Sequence, residues 1–265
     1  MYPSGRIWVQ CWWVGAAGRL LLTSRHWPLQ RSHPDNSDPK QMTTPERMMS
    51  DENNVTGVPR RPSPMGGRRP TREDLERFAT DDPDAIDDIL PADGRRLDML
   101  IVGVNPGLWT AAVNAPFARP GNRFWPSLHR AGLTDHRVDA AAGLSPQDEA
   151  QLLNRGIGLT NLVGRATVRA DELTRDELRT GGERLTQRVV RLRPFVVAIA
   201  GITAFRVAFS QPKARLGEQD VSVIPEWPLE VKLWVIPQPS GLNAHANIDT
   251  LAEHWRAVWQ TRRSS

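Results

Sequence analysis

The chain has 265 residues, 39% of them hydrophobic, and a net charge of +4, which suits one domain of ordinary size with additional segments. Its one cysteine, Cys11, excludes an intrachain disulfide framework and a four-cysteine iron–sulfur cluster. No apolar run reaches the roughly 18 residues that a membrane span needs. No HxH or HExxH spacing indicates a metal site.

Residues 1–70 are interpreted as an N-terminal extension that is disordered or wrongly included in the chain. They contain ten Lys or Arg and five Asp or Glu, so the remaining residues have a net charge of −1. Residues 35–70 are rich in Pro, Ser, Asn, Arg and Gly, which predicts disorder. The first thirty residues fit either a signal peptide with an apolar core at 7–17 or a start codon placed too early. In the second case the true start is Met42, Met48 or Met49.

A folded domain is predicted for residues 71–265, because strand and helix patterns alternate there. The predicted strands are 97–104, 157–163, 195–200 and 233–236, with a hairpin partner for the last at 220–224. Helices are predicted after Thr71, at 122–131, after Ser145, from Thr174 to about residue 192, at 202–209 and from Ile248 onward. This order predicts a three-layer α/β/α fold with a central, mostly parallel sheet of four or five strands.

Polar loops follow the first and last of these strands. The sequence Gly-Val-Asn-Pro-Gly at 103–107 ends the first, and Pro-Ser-Gly-Leu-Asn at 239–243, called the wedge loop below, follows the last. Ligands of open α/β sheets bind at the carboxyl ends of the strands. We therefore expect these two loops to face each other across one cleft.

Four motifs resemble the mismatch-specific uracil/thymine DNA glycosylases, one branch of the uracil-DNA glycosylase superfamily. They are the two loops above, Pro-Phe-Ala-Arg-Pro-Gly-Asn-Arg-Phe-Trp at 116–125 and Gly-Ile-Gly-Leu-Thr-Asn-Leu-Val at 156–163. The resemblance runs from about Arg95 to Trp259. It implies an enzyme that flips a nucleotide out of the duplex, because a stacked base is out of reach of a catalytic group.

The resemblance implies that Asn105 is the catalytic residue. An amide can hold the attacking water by hydrogen bonds but cannot take its proton at neutral pH. Catalysis would then depend on positioning and on stabilising the leaving base, so we predict a slow enzyme compared with relatives that have an aspartate here. Without the resemblance, Asn105 reads as a turn residue that tolerates a left-handed conformation.

Further residues of the base pocket follow from the same resemblance. Phe117 is expected to stack on the flipped base, although packing against Trp125 is the alternative. The N–H groups of Gly107 and Leu108, with Ser240, are expected to stabilise the leaving anion. Asn161 either lines the pocket or is a structural loop amide. Gln238 stands where the superfamily commonly has Asn or His, so its contact with the base is expected to shift.

The wedge loop is expected to enter the DNA. Leu242 would fill the space left by the flipped base, and Gly241 would allow the backbone to come close; packing of Leu242 on the closing helix is the alternative. Ala244 replaces a basic residue found in some members, which leaves recognition of the opposite base open. Arg119 and Arg123 are expected at the DNA backbone. They come from a set of candidate arginines that also includes Arg130, Arg165 and Arg169, any of which can instead be an ordinary solvated side chain.

The resemblance thus implies a monofunctional glycosylase that removes uracil, or alternatively thymine or ethenocytosine, opposite guanine and so starts base excision repair. It implies no cofactor. We expect a monomer that binds double-stranded DNA and no membrane, in the cytoplasm near a bacterial nucleoid or in a eukaryotic nucleus. Two alternatives remain: a non-catalytic nucleic-acid-binding module on the same scaffold, and a small α/β hydrolase of free nucleotides, for which a phosphate clamp is missing.

Overall fold

The computed structural model describes residues 55–241, 243 and 246–262. The strands are β1 (Met99–Gly103), β2 (Ile157–Asn161), β3 (Val196–Ala200), β4 (Gly217–Gln219) and β5 (Lys232–Ile236). The helices are α1 (Arg72–Glu76), α2 (Leu108–Val113), α3 (Phe124–Arg130), α4 (Pro146–Asn154), α5 (Arg175–Leu192), α6 (Ile202–Ala208) and α7 (Ile248–Thr261). All the predicted strands except the hairpin partner, and all the predicted helices, are present within a few residues of their expected bounds.

The strands form one sheet in the order β2-β1-β3-β5-β4. The first four in this order are parallel, and β4 is antiparallel to β5. The predicted three-layer, mostly parallel fold is confirmed. The hairpin partner lies at Gly217–Gln219 and not at 220–224, because Asp220 accepts hydrogen bonds from the backbone N–H and hydroxyl of Ser222 and so begins a 3-10 turn at Val221–Val223.

Hydrophobic cores cover both faces of the sheet. Met99 and Ile101 of β1 point into one core, with side chains from α2, α3, α4 and α7. Leu100 and Val102 point into the other core, which α5 and α6 cover. Because successive side chains of a strand point to opposite faces, a strand that is buried on both faces must be apolar throughout.

Local caps determine where several helices begin. Ser145 and Asp148 form a capping box at α4, and Thr174 and Glu177 form one at α5. In contrast, α2 was not predicted from the sequence. It is only six residues long, it begins after Gly107 without a side-chain cap, and it ends at Asn114 in the left-handed region.

Residues 55–70, which precede the predicted domain start at residue 71, pack against the domain. Val55 is buried and donates its backbone N–H to Asn154 Oδ1 at 2.7 Å. The side chain of Arg60 is only 8% exposed, and it binds the carboxylate of Glu149 and the carbonyl oxygen of Asn114. These residues are poor in apolar side chains, but their arginines find partners on the domain. The expectations for residues 1–54 lie outside the described part of the chain.

Candidate active site

The loops after β1 and β5 lie at the same edge of the sheet. These strands are parallel and flank β3, so their carboxyl ends are about 10 Å apart, twice the usual spacing between strands. The connection after β1 leads to one side of the sheet and the connection after β3 leads to the other. The site is therefore at a topological switch point, where α/β folds bind their ligands.

The side chain of Asn105 has one defined orientation. Its Nδ2 donates to Thr167 Oγ1 at 2.7 Å, to the carbonyl oxygen of Arg165 at 3.0 Å and to that of Pro106 at 3.2 Å. Carbonyl oxygens only accept, so the NH2 group must face them and Oδ1 must point the other way. Asn105 is half-buried, and Oδ1 has no partner among the described residues. This oxygen is free to accept a hydrogen bond from water.

The segment that holds the Asn105 amide is itself anchored to α5. Thr167 donates its backbone N–H to the carbonyl oxygen of Pro106 at 3.1 Å. Arg165 binds Glu177 through Nε and Oε1 at 2.6 Å and through Nη2 and Oε2 at 3.2 Å. The Arg165 guanidinium, together with the Thr174 backbone N–H, lowers the pKa of Glu177 to about 2. Glu177, the N3 residue of the capping box of α5, thus also fixes the segment behind Asn105.

Phe117 and Asn161 meet at Gly103, the last residue of β1. A Cβ at position 103 would collide with Asn161 Oδ1 and would lie 3.3 Å from Phe117 Cζ. The two side chains therefore occupy space that only a glycine leaves open. Asn161 is half-buried, and its amide has no hydrogen-bond partner among the described residues. An amide in this state offers both donors and an acceptor to a ligand.

Phe117 presents one ring face to the site. Its ring stacks on Phe124 with centroids 3.9 Å apart and an interplanar angle of 17°, so only its opposite face is left for a ligand. The φ of Phe117 is 55°, in the left-handed region, which is rare for a bulky side chain. The described ring contact is with Phe124, whereas the sequence suggested Trp125 as the alternative packing partner.

The wedge loop is held by Arg123. Its guanidinium donates to the carbonyl oxygens of Ser240 at 3.2 Å, Gly241 at 3.3 Å, Asn243 at 2.8 Å and Ala246 at 2.7 Å. Its backbone N–H donates to the carbonyl oxygen of Pro239 at 2.8 Å. The guanidinium therefore binds the wedge loop within the protein. The expected contact of Arg123 with the DNA backbone stays a prediction.

The wedge loop also touches the segment before α3 directly. A Cβ at Gly241 would lie 2.8 Å from the carbonyl oxygen of Gly121, so the expected need for a glycine comes here from a contact within the protein. Gln238 is exposed, and its carbonyl oxygen accepts from Asn243 Nδ2 at 3.0 Å. Ser240 is half-buried. The positions of Leu242, Ala244 and His245 lie outside the described residues.

The other expected residues are distributed as follows. Gly107 precedes α2 and Leu108 is its first residue, so their N–H groups lie at the start of this helix. The candidate arginines differ in their partners, since carboxylates bind three of them: Arg130 pairs with Asp249, Arg165 with Glu177 and Arg169 with Asp171. Arg119 is exposed, and its guanidinium has no partner among the described residues.

Sequence reasoning missed Thr167 and the hydrogen bonds of Arg123 to the wedge loop. Thr167 belongs to no motif and is 62 residues from Asn105, so no local pattern points to it. Within the described residues, no group of three or more His, Cys, Asp or Glu side chains could hold a metal ion. None of the described helices is long and apolar enough to cross a membrane.

The fold and the site together define a class of protein. It is a doubly wound α/β domain in which two amides and one aromatic ring belong to segments at or near the carboxyl edge of the sheet. Such side chains suit a planar ligand with polar edges.

Comparison with protein families agrees with this class. The model of the uracil DNA glycosylase superfamily matches residues 91–261, and the chain belongs to this superfamily. Membership implies DNA glycosylase activity, which is the hydrolysis of the bond between a base and its sugar at the start of base excision repair.

Proposed function

We propose that this protein is a monofunctional glycosylase of the mismatch-specific branch, which removes uracil opposite guanine from duplex DNA. The observation that supports the chemistry best is the orientation of Asn105. Two carbonyl oxygens and one hydroxyl hold its NH2 group, so its Oδ1 is presented to a water molecule. The assignment to this branch rests on the sequence motifs at 103–107 and 239–243.

In the proposed mechanism, the flipped base lies on the open face of Phe117, and the amide of Asn161 hydrogen-bonds to its polar edge. A water donates a hydrogen bond to Asn105 Oδ1, which leaves an oxygen lone pair directed at the sugar carbon. The carbon–oxygen bond forms, and the glycosidic bond breaks with its electron pair going to the base. The water proton passes to solvent, since Asn105 cannot accept it. The products are the free base and an abasic site.

Stabilisation of the leaving base is assigned to the start of α2. We propose that the N–H groups of Gly107 and Leu108, with Ser240, interact with the negative charge that develops on the base. Such groups contribute only if the base is held close to them, which is the task proposed for Phe117 and Asn161. Because no carboxylate acts as a general base in this mechanism, the excision is expected to be slow.

The proposal excludes a covalent step through lysine. Lys213 and Lys232 are the lysines that fall within residues 91–261. Lys213 lies in the connection between α6 and β4, and Lys232 begins β5 at the opposite edge of the sheet. Neither belongs to the loops that form the site. We therefore expect hydrolysis without cleavage of the DNA strand at the abasic site.

The first experiment uses duplexes with a single uracil opposite guanine, followed by alkali to cleave abasic sites. Wild-type protein is expected to produce alkali-sensitive sites, and Asn105→Ala is expected to lower the rate at least about a hundredfold while the affinity for the duplex is retained. Asn114→Gly is the matched control. It also removes an amide that donates to two acceptors, but it lies at the other end of α2 and keeps a φ of 48° accessible.

Each alternative has its own outcome in this experiment. Duplex binding without abasic sites supports a non-catalytic module. Hydrolysis of free deoxyuridine monophosphate without action on DNA supports the nucleotide hydrolase. Equal rates on uracil opposite guanine, uracil opposite adenine and single strands contradict mismatch specificity. A panel with thymine and ethenocytosine opposite guanine ranks the substrates.

A further inference from the structure

A groove of about 370 Å³ opens directly beside Phe117. Two exposed arginines, Arg119 and Arg137, line this groove, and the largely buried Trp125 also contributes to it. Neither guanidinium group has a hydrogen-bond or ion-pair partner in the part of the chain that the structure describes. We call this feature the Arg119 groove. Arg137 lies in the connection between α3 and α4, and no sequence motif pointed to it.

The position of the Arg119 groove connects it to the proposed base pocket. Phe117 belongs to both, because its ring edge lies against Gly103 at the end of β1. Gly121 also lines the groove, and its carbonyl oxygen lies against Gly241 of the wedge loop. The groove therefore begins where a flipped nucleotide and an inserted wedge would meet the protein.

The charge of the Arg119 groove is positive. Asp139 is its one acidic residue among those described, and this carboxylate is bound by Arg69 at 2.7 Å and by the backbone N–H of Ala141 at 3.1 Å. Its charge is thus offset, whereas Arg119 and Arg137 have no described carboxylate of their own. Arginines without a carboxylate partner can form bidentate, charge-assisted hydrogen bonds with DNA phosphates.

We propose that Arg119 and Arg137 bind phosphates of the DNA strand that contains the flipped nucleotide. This inference rests on the proposed function, which places the flipped base on Phe117. The backbone on one side of that nucleotide must leave the pocket next to Phe117, and the groove starts there. Arg137 is therefore a DNA-binding residue, and the groove selects the damaged strand and not its complement.

The test combines charge removal on the protein with charge removal on the DNA. Arg119→Gln and Arg137→Gln are each expected to lower the slope of log affinity against log salt concentration by about 0.9, the contribution of one phosphate contact. Arg191→Gln is the matched control, because Arg191 is exposed in the last turn of α5, which leads into the amino end of β3. Its slope is expected to equal that of the wild type.

Single neutral methylphosphonates, placed in turn along each strand, then locate the contact. At one or two positions next to the uracil, we expect coupling between the two changes. There, Arg137→Gln combined with the methylphosphonate should lower the affinity no more than either change alone. If the salt slopes of Arg119→Gln and Arg137→Gln equal that of Arg191→Gln, the proposed phosphate contacts are wrong. Coupling found only in the undamaged strand overturns the strand assignment. If both arginine variants reduce the salt slope but the wild-type protein does not excise uracil, the phosphate contacts are supported and the proposed function is rejected.

Discussion

Thr167 Oγ1 accepts a hydrogen bond of 2.7 Å from Asn105 Nδ2. This contact joins the loop after β1 to the segment that precedes α5. Together with two backbone carbonyl oxygens, it decides which end of the amide faces the protein. The reactivity proposed for Asn105 therefore depends on a residue that touches no substrate.

Replacing Thr167 tests this dependence. Thr167→Val keeps the shape but removes the acceptor, and a lost hydrogen bond of about 0.5–1.5 kcal/mol corresponds to a decrease in the single-turnover excision rate of roughly twofold to thirteenfold. Thr167→Ser keeps the hydroxyl and should restore most of the rate. Duplex affinity should be unchanged in both variants. A valine variant as fast as the wild type would show that Thr167 does not position the amide.

Asn105→Asp should not produce a fast enzyme. The second carboxylate oxygen would face the carbonyl oxygens of Arg165 and Pro106, which repel it, so the pKa of the introduced carboxyl should be raised. If folding raises the pKa of the carboxyl that Asn105→Asp introduces, the folded variant is most stable at low pH, where this carboxyl is protonated. This stability is lost as the pH rises and the carboxyl ionises. The loss of melting temperature relative to wild type should therefore grow between about pH 4 and pH 8. A constant difference across this range would contradict the orientation of the Asn105 amide described above.

Gly103→Ala should damage the pocket through Asn161. The new methyl group would collide with Asn161 Oδ1 and press on the ring edge of Phe117, so both stability and excision should decrease. The double variant Gly103→Ala/Asn161→Ala makes room for the methyl group. It should regain melting temperature but not excision, because the proposed contact with the base edge is lost. Recovery of both would mean that Asn161 has only a structural role.

Arg123 should act through the wedge loop. A lysine has one ammonium group and cannot reach all the carbonyl oxygens that the guanidinium binds, so Arg123→Lys should loosen this loop. We expect a decrease of about tenfold in excision from duplex DNA and a smaller effect on single strands, where no stacked base must be displaced. Leu242→Ala should likewise slow excision from duplex DNA more than excision from single strands. Rate losses that multiply in the double variant would argue against a shared role for the two residues.

Acid should weaken the anchor between Arg165 and Glu177. The pKa of Glu177 is lowered from 4.5 to about 2, so its contribution to stability is present above pH 4.5 and is lost as the pH falls toward 2. The difference in melting temperature between wild type and Glu177→Gln should therefore shrink over this range. Glu183→Gln, an exposed change on the same helix, is the control. A difference that does not depend on pH would show that the ion pair does not stabilise the folded state.

Much of the fold could be predicted because its signals are local. The capping box of Thr174 and Glu177 spans four residues, and the apolar run of β1 reflects burial on both faces. Where local signals were weak, the sequence patterns did not reveal the structure. The six-residue helix α2 has no side-chain cap, and residues 55–70 are held by long-range contacts such as the bond from Arg60 to Glu149.

The candidate site divides in the same way. Its motif residues Asn105, Phe117 and Asn161 were proposed from the sequence, since each lies in a short pattern that resembles a known family. The sequence by itself thus determined the strands, the loops at their ends and the residue types available for chemistry. Only the tertiary structure decided that the Asn105 amide presents its oxygen and that Arg123 faces the wedge loop. Those outcomes depend on hydrogen bonds between residues 60 to 123 positions apart, which no local pattern encodes.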